Sequence, residues 1–597
     1  MQARWRVAPN TPEEMRQRFP EVHPIALRLL ANRGITTQEA MDEFLEPDYG
    51  NLHDPYLFRD MERACERVWK ALQDGEKVVI HGDYDADGIT GSTVLMTTFR
   101  DAAKRLGKDP DLLVSYLPHR EKDGYGVRPA TVERLAAEGA TLMITVDCGI
   151  SCRAEIALAA EKGMDTIVVD HHQIPEKIPE CIILHPLVEG ETYPFKKLAA
   201  VGVSFKFACG FITHCAKRGS PFEPGYEKWL MDLVSIATVT DVMPLIGENR
   251  TLEHFGLKVL NKTKRIGLRK LIEGAGLEFG GMDTTSVGFM IGPRINAASR
   301  MEHAELAFKC LMAETEEDAV LYAERLNQAN RDRQKYTEEI MDVAKREVAA
   351  QGEKKIHCIA GEGWSAGIVG LVAGRISNER GRPVFVFGKE GERMVGSGRS
   401  IPGFDVVKAM ERAKAHLERF GGHPQACGLT VVGEENYAAF CRLAEEYADE
   451  ILAGADLRPA LDIDAELRMS QVTWDLVECL AKLEPFGEGN PRPRFLLSGL
   501  LVSAVDVIGK NRNTVRISAA GDLPKERKFI GFNFVSKVEG IAPGMRIDAV
   551  VEIGINAWNG TKEIQLKLVD VAPAGKAAAD AEEAKRKREK EEKVAAF

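Results

Sequence analysis

Five short apolar runs, KVVIHG, LLVSYL, TLMITVD, DTIVVD and CIILHP, alternate with helical stretches between residues 76 and 185. Runs this apolar fit strands buried on both faces of a parallel sheet. Their alternation with helices predicts βαβ units. An open parallel sheet gathers functional groups at the carboxyl ends of its strands. In this chain those ends carry acids and imidazoles.

The first run leads into HGDYDADGITGS, residues 81–92, with Asp83, Asp85 and Asp87 on alternate positions before Gly88. Three carboxylates so close repel one another unless a cation holds them. The spacing is not an EF-hand: a strand precedes it, and Val94 stands where the closing Glu belongs. TLMITV ends in Asp147, and DTIVV ends in Asp170-His171-His172. The apolar run LVSIATVTDVMPL places Asp241. A single Asp at such a place is commonly a helix cap, and a His pair a polar turn. Four coincidences on separate segments point instead to one site. Carboxylate with imidazole suits Mn²⁺ or Mg²⁺. Two ions sharing a carboxylate, about 3.5–4 Å apart, activate water and stabilise in-line displacement at phosphorus. The chain has no G-x-x-x-x-G-K-[ST], so nucleotide-driven motor chemistry is not indicated.

The rest of the chain divides by texture. Residues 1–50 read as helical, HPIALRLLANRG ending at Gly34. Residues 222–310 read as mainly helical. Residues 314–350 lack Gly and Pro and are densely charged, which predicts one long connecting helix. KKIHCIA, IVGLVAGRIS and RPVFVFG begin a second α/β unit. Short strand-like runs at 456–572 predict a small β-barrel. The tail 573–597, rich in Ala, Lys and Glu, reads as solvated helix or disorder. No apolar run reaches the roughly 18 residues of a membrane span; 198–213 comes nearest and is broken by Lys206. The N-terminus lacks an apolar signal core, and the 11 cysteines form no C-x-x-C pair. Reduced thiols and a cytoplasmic location are expected. The net charge of −11 excludes nucleic-acid binding by bulk charge. A phosphate substrate would be met by metal ions or local basic patches.

HGDYDADG, VDCG, the triplet DHH at 170–172 and VTDVMP resemble the successive motifs of the DHH phosphoesterase superfamily. GPRINAASRM (292–301), GSGRSIPGFDV (396–406), FGGHPQACGLT (420–430) and the barrel resemble its bacterial exonucleases, which degrade single-stranded DNA from the 5′ end. The resemblance covers about residues 20–570 and implies an α/β architecture. A helical segment (1–50) would precede a parallel-sheet DHH domain (51–313). A connecting helix (314–350) would lead to a DHHA1-type domain (351–455), then an OB-fold barrel (456–572) and the tail (573–597).

By the same resemblance, His81, Asp85 and Asp147 hold one metal ion, Mn²⁺ or Mg²⁺. Asp87, Asp147, His171 and Asp241 hold the second, with Asp147 bridging. Asp83 and His172 are catalytic neighbours, His172 facing the scissile phosphate. Arg294, Asn296 and Arg300 suit forked phosphate contacts. GSGRS, with Ser397 and Arg399, offers a backbone that can turn its N–H groups to an anion, and GGHP presents His423. These segments would close over the 5′ end. In the barrel, whose charge is nearly balanced, KNRNTVR (510–516) is a basic strip. Arg512 and Arg516 would meet phosphates; Phe529, Phe532, Phe534 and Trp558 would stack bases or else fill the barrel core. The partners implied are single-stranded DNA, single-strand-binding protein and a RecQ-type helicase, with no membrane and a monomeric state.

Three rival readings remain. GWSAG at 363–367, followed by Asp405 and His423, has the order of a serine hydrolase, but about 60 residues are short for that sheet. The same metal site could act as a phosphodiesterase on oligoribonucleotides or cyclic dinucleotides. A DNA-binding relative without metals is the third, and the intact Asp and His set argues against it.

Overall fold

The computed structural model describes residues 3–509, 511–523, 525–558 and 561–595. Two units are separable: Tyr49–Leu457, and Met1–Asp48 together with Arg458–Phe597.

In the first unit, five parallel strands lie in the order Leu113–Tyr116, Lys77–Gly82, Ala140–Val146, Asp165–Val169, Ile182–Leu184. The second strand in sequence thus flanks the first, and the winding direction reverses between Lys77–Gly82 and Ala140–Val146. At such a switch point the outgoing loops diverge and leave a crevice. The strands are apolar on both faces because both are covered. Val78 and Ile80 pack with Phe99 and Phe207 of helices Ala86–Arg105 and Ala200–Lys217. Val79 and Met143 pack on the opposite side with Val132 and Ile156 of helices Pro129–Ala137 and Arg153–Glu161.

Helices follow, including Met231–Thr240, Gly247–Leu260 and Gly292–Met301. Helix Glu316–Gln351 has 36 residues, about 54 Å at the usual rise. Thr315 caps it by accepting from Asp318 N. It leads to a mixed sheet ordered Arg419–His423, Ala426–Val432, Arg393–Arg399, Val384–Glu390, His357–Glu362, in which only the last two strands are parallel.

In the other unit, Phe495–Ile508 pairs with both Thr514–Ala520 and Arg546–Trp558, which closes a barrel with Arg527–Phe532 and Thr561–Pro573. The opening residues differ from the helical expectation. Arg4–Val7 is a strand that pairs in parallel with Ala460–Ile463. Behind it, Phe19, Leu27, Leu30 and Phe44 share a core with Leu476, Phe495 and Val551. The strand is invisible locally because its partner lies more than 450 residues away.

Candidate metal centre and its arginine rim

The crevice at the switch point is built by the strand ends. Asp83 N donates to Val146 O (3.0 Å), Asp147 N to Val169 O (3.0 Å) and Asp170 N to Leu184 O (3.2 Å). Each bond carries the ladder one residue past its strand, so the acids fall in one rank. Asp147 has φ 62°, a left-handed conformation that costs a non-glycine residue energy and clusters at functional sites. His171 Nε2 lies 3.2 Å from Asp147 Oδ1, 3.5 Å from Asp241 Oδ2 and 3.6 Å from Asp87 Oδ2. Asp241 joins from the end of helix Met231–Thr240.

Among the described residues, three groups bring potential ligand atoms within 4.8 Å of one another: Asp83, Asp85, Asp147; Asp87, His171, Asp241; and Asp147, His171, His172. His81 stands outside these groups, at the end of Lys77–Gly82 beside the Cys148 thiol (3.8 Å). Among the described residues of this site, five buried ligand atoms have no hydrogen-bond partner: His81 Nε2, Asp83 Oδ1, Asp147 Oδ1, His171 Nε2 and Asp241 Oδ2. Each such orphan is costly, and a divalent cation is the ligand that would satisfy carboxylate oxygens and imidazole nitrogens together.

The electrostatics agree with that donor set. Burial, then the neighbouring carboxylates, push Asp147 and Asp83 well above the usual carboxylate range. The same causes raise Asp87 to about 7 and Asp241 to about 9. Burial lowers His81 and His171 to about 4, which leaves both imidazoles neutral, the form that binds metal.

Supports for the acids come from nearby backbone. Asp85 caps helix Ala86–Arg105, accepting from Asp87 N and Gly88 N. A side chain at Gly88 would meet Asp83 N at 2.5 Å, so only glycine lets the acidic loop fold this tightly. Asp87 also accepts from Ala200 N (2.7 Å) and Val201 N (2.8 Å). Asp170, absent from the sequence-derived set of site residues, accepts from Ile150 N, His171 N and His172 N and holds His172 Nδ1 at 2.8 Å. Burial works to raise Asp170, but the bond to His172 prevails and holds it at about 2. The converse holds for His172, which burial would lower and Asp170 raises. Tyr125 Oη also reaches Asp147 O (3.1 Å) and His172 Nδ1 (3.2 Å). Nothing in the sequence marks Tyr125, whereas Asp170 opens the DHH triplet.

The predicted phosphate-binding residues divide. Asn296 accepts from Ala86 N at 2.9 Å through Oδ1 and so braces the acidic loop, which leaves Nδ2 as its donor toward a phosphate. Arg294 is committed to Asn327 Oδ1 (2.7 Å) and Met290 O (2.6 Å). Arg300 donates to Gly367 O. Burial, then Arg120, Arg333 and Arg399, lower Arg300 to about 9, with Asp85 opposing. Arg120, which the sequence reading missed, lies over the Tyr84 ring at 4.1 Å. Arg399 bonds Ser397 Oγ and Gly398 O, each at 2.8 Å. GSGRS is not an anion nest: Arg393–Arg399 is a strand paired on both sides. Its glycines make room for rings, since side chains at Gly396 and Gly398 would meet Phe387 at 2.4 Å and Phe385 at 2.5 Å. His423 is exposed at the end of Arg419–His423.

Ser365 of GWSAG caps helix Ala366–Arg380 and donates to Glu121 Oε1 (2.9 Å). Asp405 caps another helix, so the hydrolase order is a coincidence of two caps. In the barrel, Phe529 and Phe534 are buried in the core, so core filling wins for both. Phe532 is 56% exposed. Arg516 pairs with Asp506 at 2.9 Å, Arg512 is exposed in the turn, and the Trp558 side chain lies outside the described residues.

The fold and site define a DHH-class protein. Residues 77–238 match the model of the DHH family, N-terminal domain, 352–450 the DHHA1 domain and 463–570 the RecJ OB domain. The single-stranded-DNA-specific exonuclease RecJ of Bacillus subtilis is 35% identical over 95% of this chain and 71% of its own length. That of Escherichia coli is 29% identical over 93% and 96%. The crystal structure of RecJ in complex with Mn²⁺ from Thermus thermophilus superposes with a TM-score of 0.79 at 28% identity, covering 96% of this chain and 79% of that one. A Mg²⁺ complex of the same RecJ matches at 0.74 and 27%, covering 95% and 78%. The chain belongs to the RecJ family.

Proposed function

We infer that this protein is a metal-dependent exonuclease that hydrolyses single-stranded DNA from the 5′ end to mononucleotides. The observation that carries the reading is the set of five buried, unpartnered ligand atoms at the sheet's switch point. His81, Asp85 and Asp147 would hold one divalent ion; Asp87, Asp147, His171 and Asp241 would hold the other. Bound Mn²⁺ or Mg²⁺ supplies Lewis-acid polarisation of the phosphodiester and an acidified water for in-line attack.

The chain's own groups do the rest. Asp170 fixes Nδ1 of His172 and favours its charged form, which leaves Nε2 as the donor available to the scissile phosphate. Asp83, whose Oδ1 is one of those unpartnered atoms, would stand beside the ions as a further catalytic carboxylate. Arg120, Arg300, Ser397 and Arg399 would bind the 5′-terminal phosphate, since guanidinium groups crowded against one another attract an anion. Anchoring that end would set the polarity. Family resemblance also suggests a cytoplasmic monomer that works on strands delivered by a RecQ-type helicase and coated with single-strand-binding protein. No helix among the described residues is long and apolar enough to cross a membrane.

The test is single-stranded DNA labelled at either end, incubated with Mn²⁺ beside blunt duplex. Early release of 5′-labelled mononucleotide from the single strand alone is expected. Inert DNA alongside hydrolysed oligoribonucleotides or cyclic dinucleotides would keep the metal site and overturn the substrate.

A further inference from the structure

Among the described residues, the two most exposed large apolar side chains are Phe289 (78%) and Val242 (63%). Both adjoin Asp241. Val242 follows it directly with φ 56°, where the chain leaves helix Met231–Thr240: Met243 N returns to Thr238 O (3.0 Å). That helix-ending position favours Gly or Asn, and a β-branched residue there is strained. Folding alone does not account for a valine held strained and outward at this point.

Phe289 stands on Val287–Ile291, a π-helical turn. Such widened turns appear often at functional sites. The turn lies tight on the end of the Asp241 helix. A methyl at Gly288 would touch Val239 Cγ1 at 3.4 Å, and one at Gly292 would sit 2.0 Å from Thr240 Cγ2. The next helical turn carries Arg294, whose Nη1 bonds Met290 O. Arg294 is crowded by Arg331 and in turn crowds Arg333. The turn that carries the exposed ring therefore packs on the helix that ends at Asp241 and runs directly into the helix that carries Arg294.

We propose that Phe289 is a stacking platform for a nucleobase of the single strand, with Val242 as a second apolar contact. The inference rests on the exonuclease reading and deepens it. A strand whose phosphates are drawn to the arginines and to the metal centre has bases free to cover the ring. Stacking needs no hydrogen-bond pattern, so the platform accepts any base that is free of a complementary strand. A paired base presents no free face, so the same contact helps reject duplex.

The full chain with Mn²⁺ is titrated with single-stranded DNA protected by phosphorothioate linkages at its 5′ end. The strand carries 2-aminopurine at one position at a time. Quenching at one or two positions near the 5′ end is expected. Phe289→Ala should abolish that quenching and weaken binding on the order of tenfold or more, while Phe289→Trp restores both. Unchanged quenching and affinity in Phe289→Ala would overturn the platform. So would a Phe289-dependent self-association with DNA binding intact. A protein that cleaves unprotected single strands while Phe289→Ala behaves as wild type loses this proposal alone. One that neither binds nor cuts them loses the exonuclease reading with it.

Discussion

Two clusters of like charge meet in this molecule, and they are built differently. The acids Asp83, Asp147 and Asp170 sit on adjacent strand ends, locked by ladder hydrogen bonds. The arginines come from separate pieces: Arg120 from a loop, Arg300 from a short helix, Arg333 from the long helix and Arg399 from the second sheet. Orphaned atoms fill the acidic cluster, whereas Arg294, Arg300 and Arg399 each spend donors on nearby oxygens. A rigid cluster whose inward-facing ligand atoms are left unsatisfied suits resident cations. A half-satisfied cluster on several elements suits an anion that comes and goes. Predictions that separate the two test the comparison.

The largest effect is expected at the shared acid. Asp147→Ala should remove at least about 10²–10³-fold of the cleavage rate, the scale of losing one preorganised electrostatic stabiliser. Single-strand binding, carried by the arginines, should change little. Near-normal cleavage would dismantle the proposed metal site, and lost binding would merge the clusters into one. A step smaller, Asp170→Asn keeps the side chain's size but weakens its hold on His172. A loss of roughly 10–100-fold in rate is expected, as for other partners that orient a site group. The pH profile should shift with it; a uniform drop with an unmoved profile would leave Asp170 only a structural role.

The acidic cluster was far more legible in the sequence than its rim. Strands buried on both faces print as apolar runs, and the residue after each run falls at the carboxyl edge, so Asp147 and the DHH triplet were readable from spacing. Asp241 needed only its apolar run, although that run is a helix. The rim depends on contacts between distant segments. Nothing local reveals that Asn296 also braces the acidic loop through Ala86 N. The glycines of GSGRS looked like an anion nest because the rings of Phe385 and Phe387 are invisible from the motif. Arg120 is a lone arginine in a loop, and position alone gives such a residue no meaning. In the barrel, Phe529 and Phe534 alternate with Phe532 in burial, and composition could not say which faced inward.

Smaller again is the expected signal from the rim. Arg399→Ala should lower the preference for a 5′-phosphorylated over a 5′-hydroxyl strand by about tenfold, the worth of one charge-assisted hydrogen bond. Cleavage of the unphosphorylated strand should persist. Equal discrimination in wild type and variant would move the end-binding role elsewhere.

The smallest effect is thermodynamic and belongs to the acidic cluster rather than to the arginines. In the metal-free protein, Asp83 and Asp147 are raised well above their unfolded value, Asp87 to about 7 and Asp241 to about 9. An acid raised on folding binds more protons native than unfolded, so stability falls as pH climbs toward its folded pKa. His172, also raised, adds the same sign above its unfolded value near 6.5. His81 and His171, lowered to about 4, act oppositely but only below that value. The clean window therefore runs from about pH 7 to 8.5. There the chelated protein should melt progressively lower by a few degrees, and saturating Mg²⁺ should flatten the slope by holding the carboxylates ionised. Glu253, a buried acid outside the site raised to about 8, contributes with or without metal, so the difference between the two curves isolates the cluster. Parallel curves would mean that the acids do not share a cation, and the contrast with the arginines would fail from the acidic side.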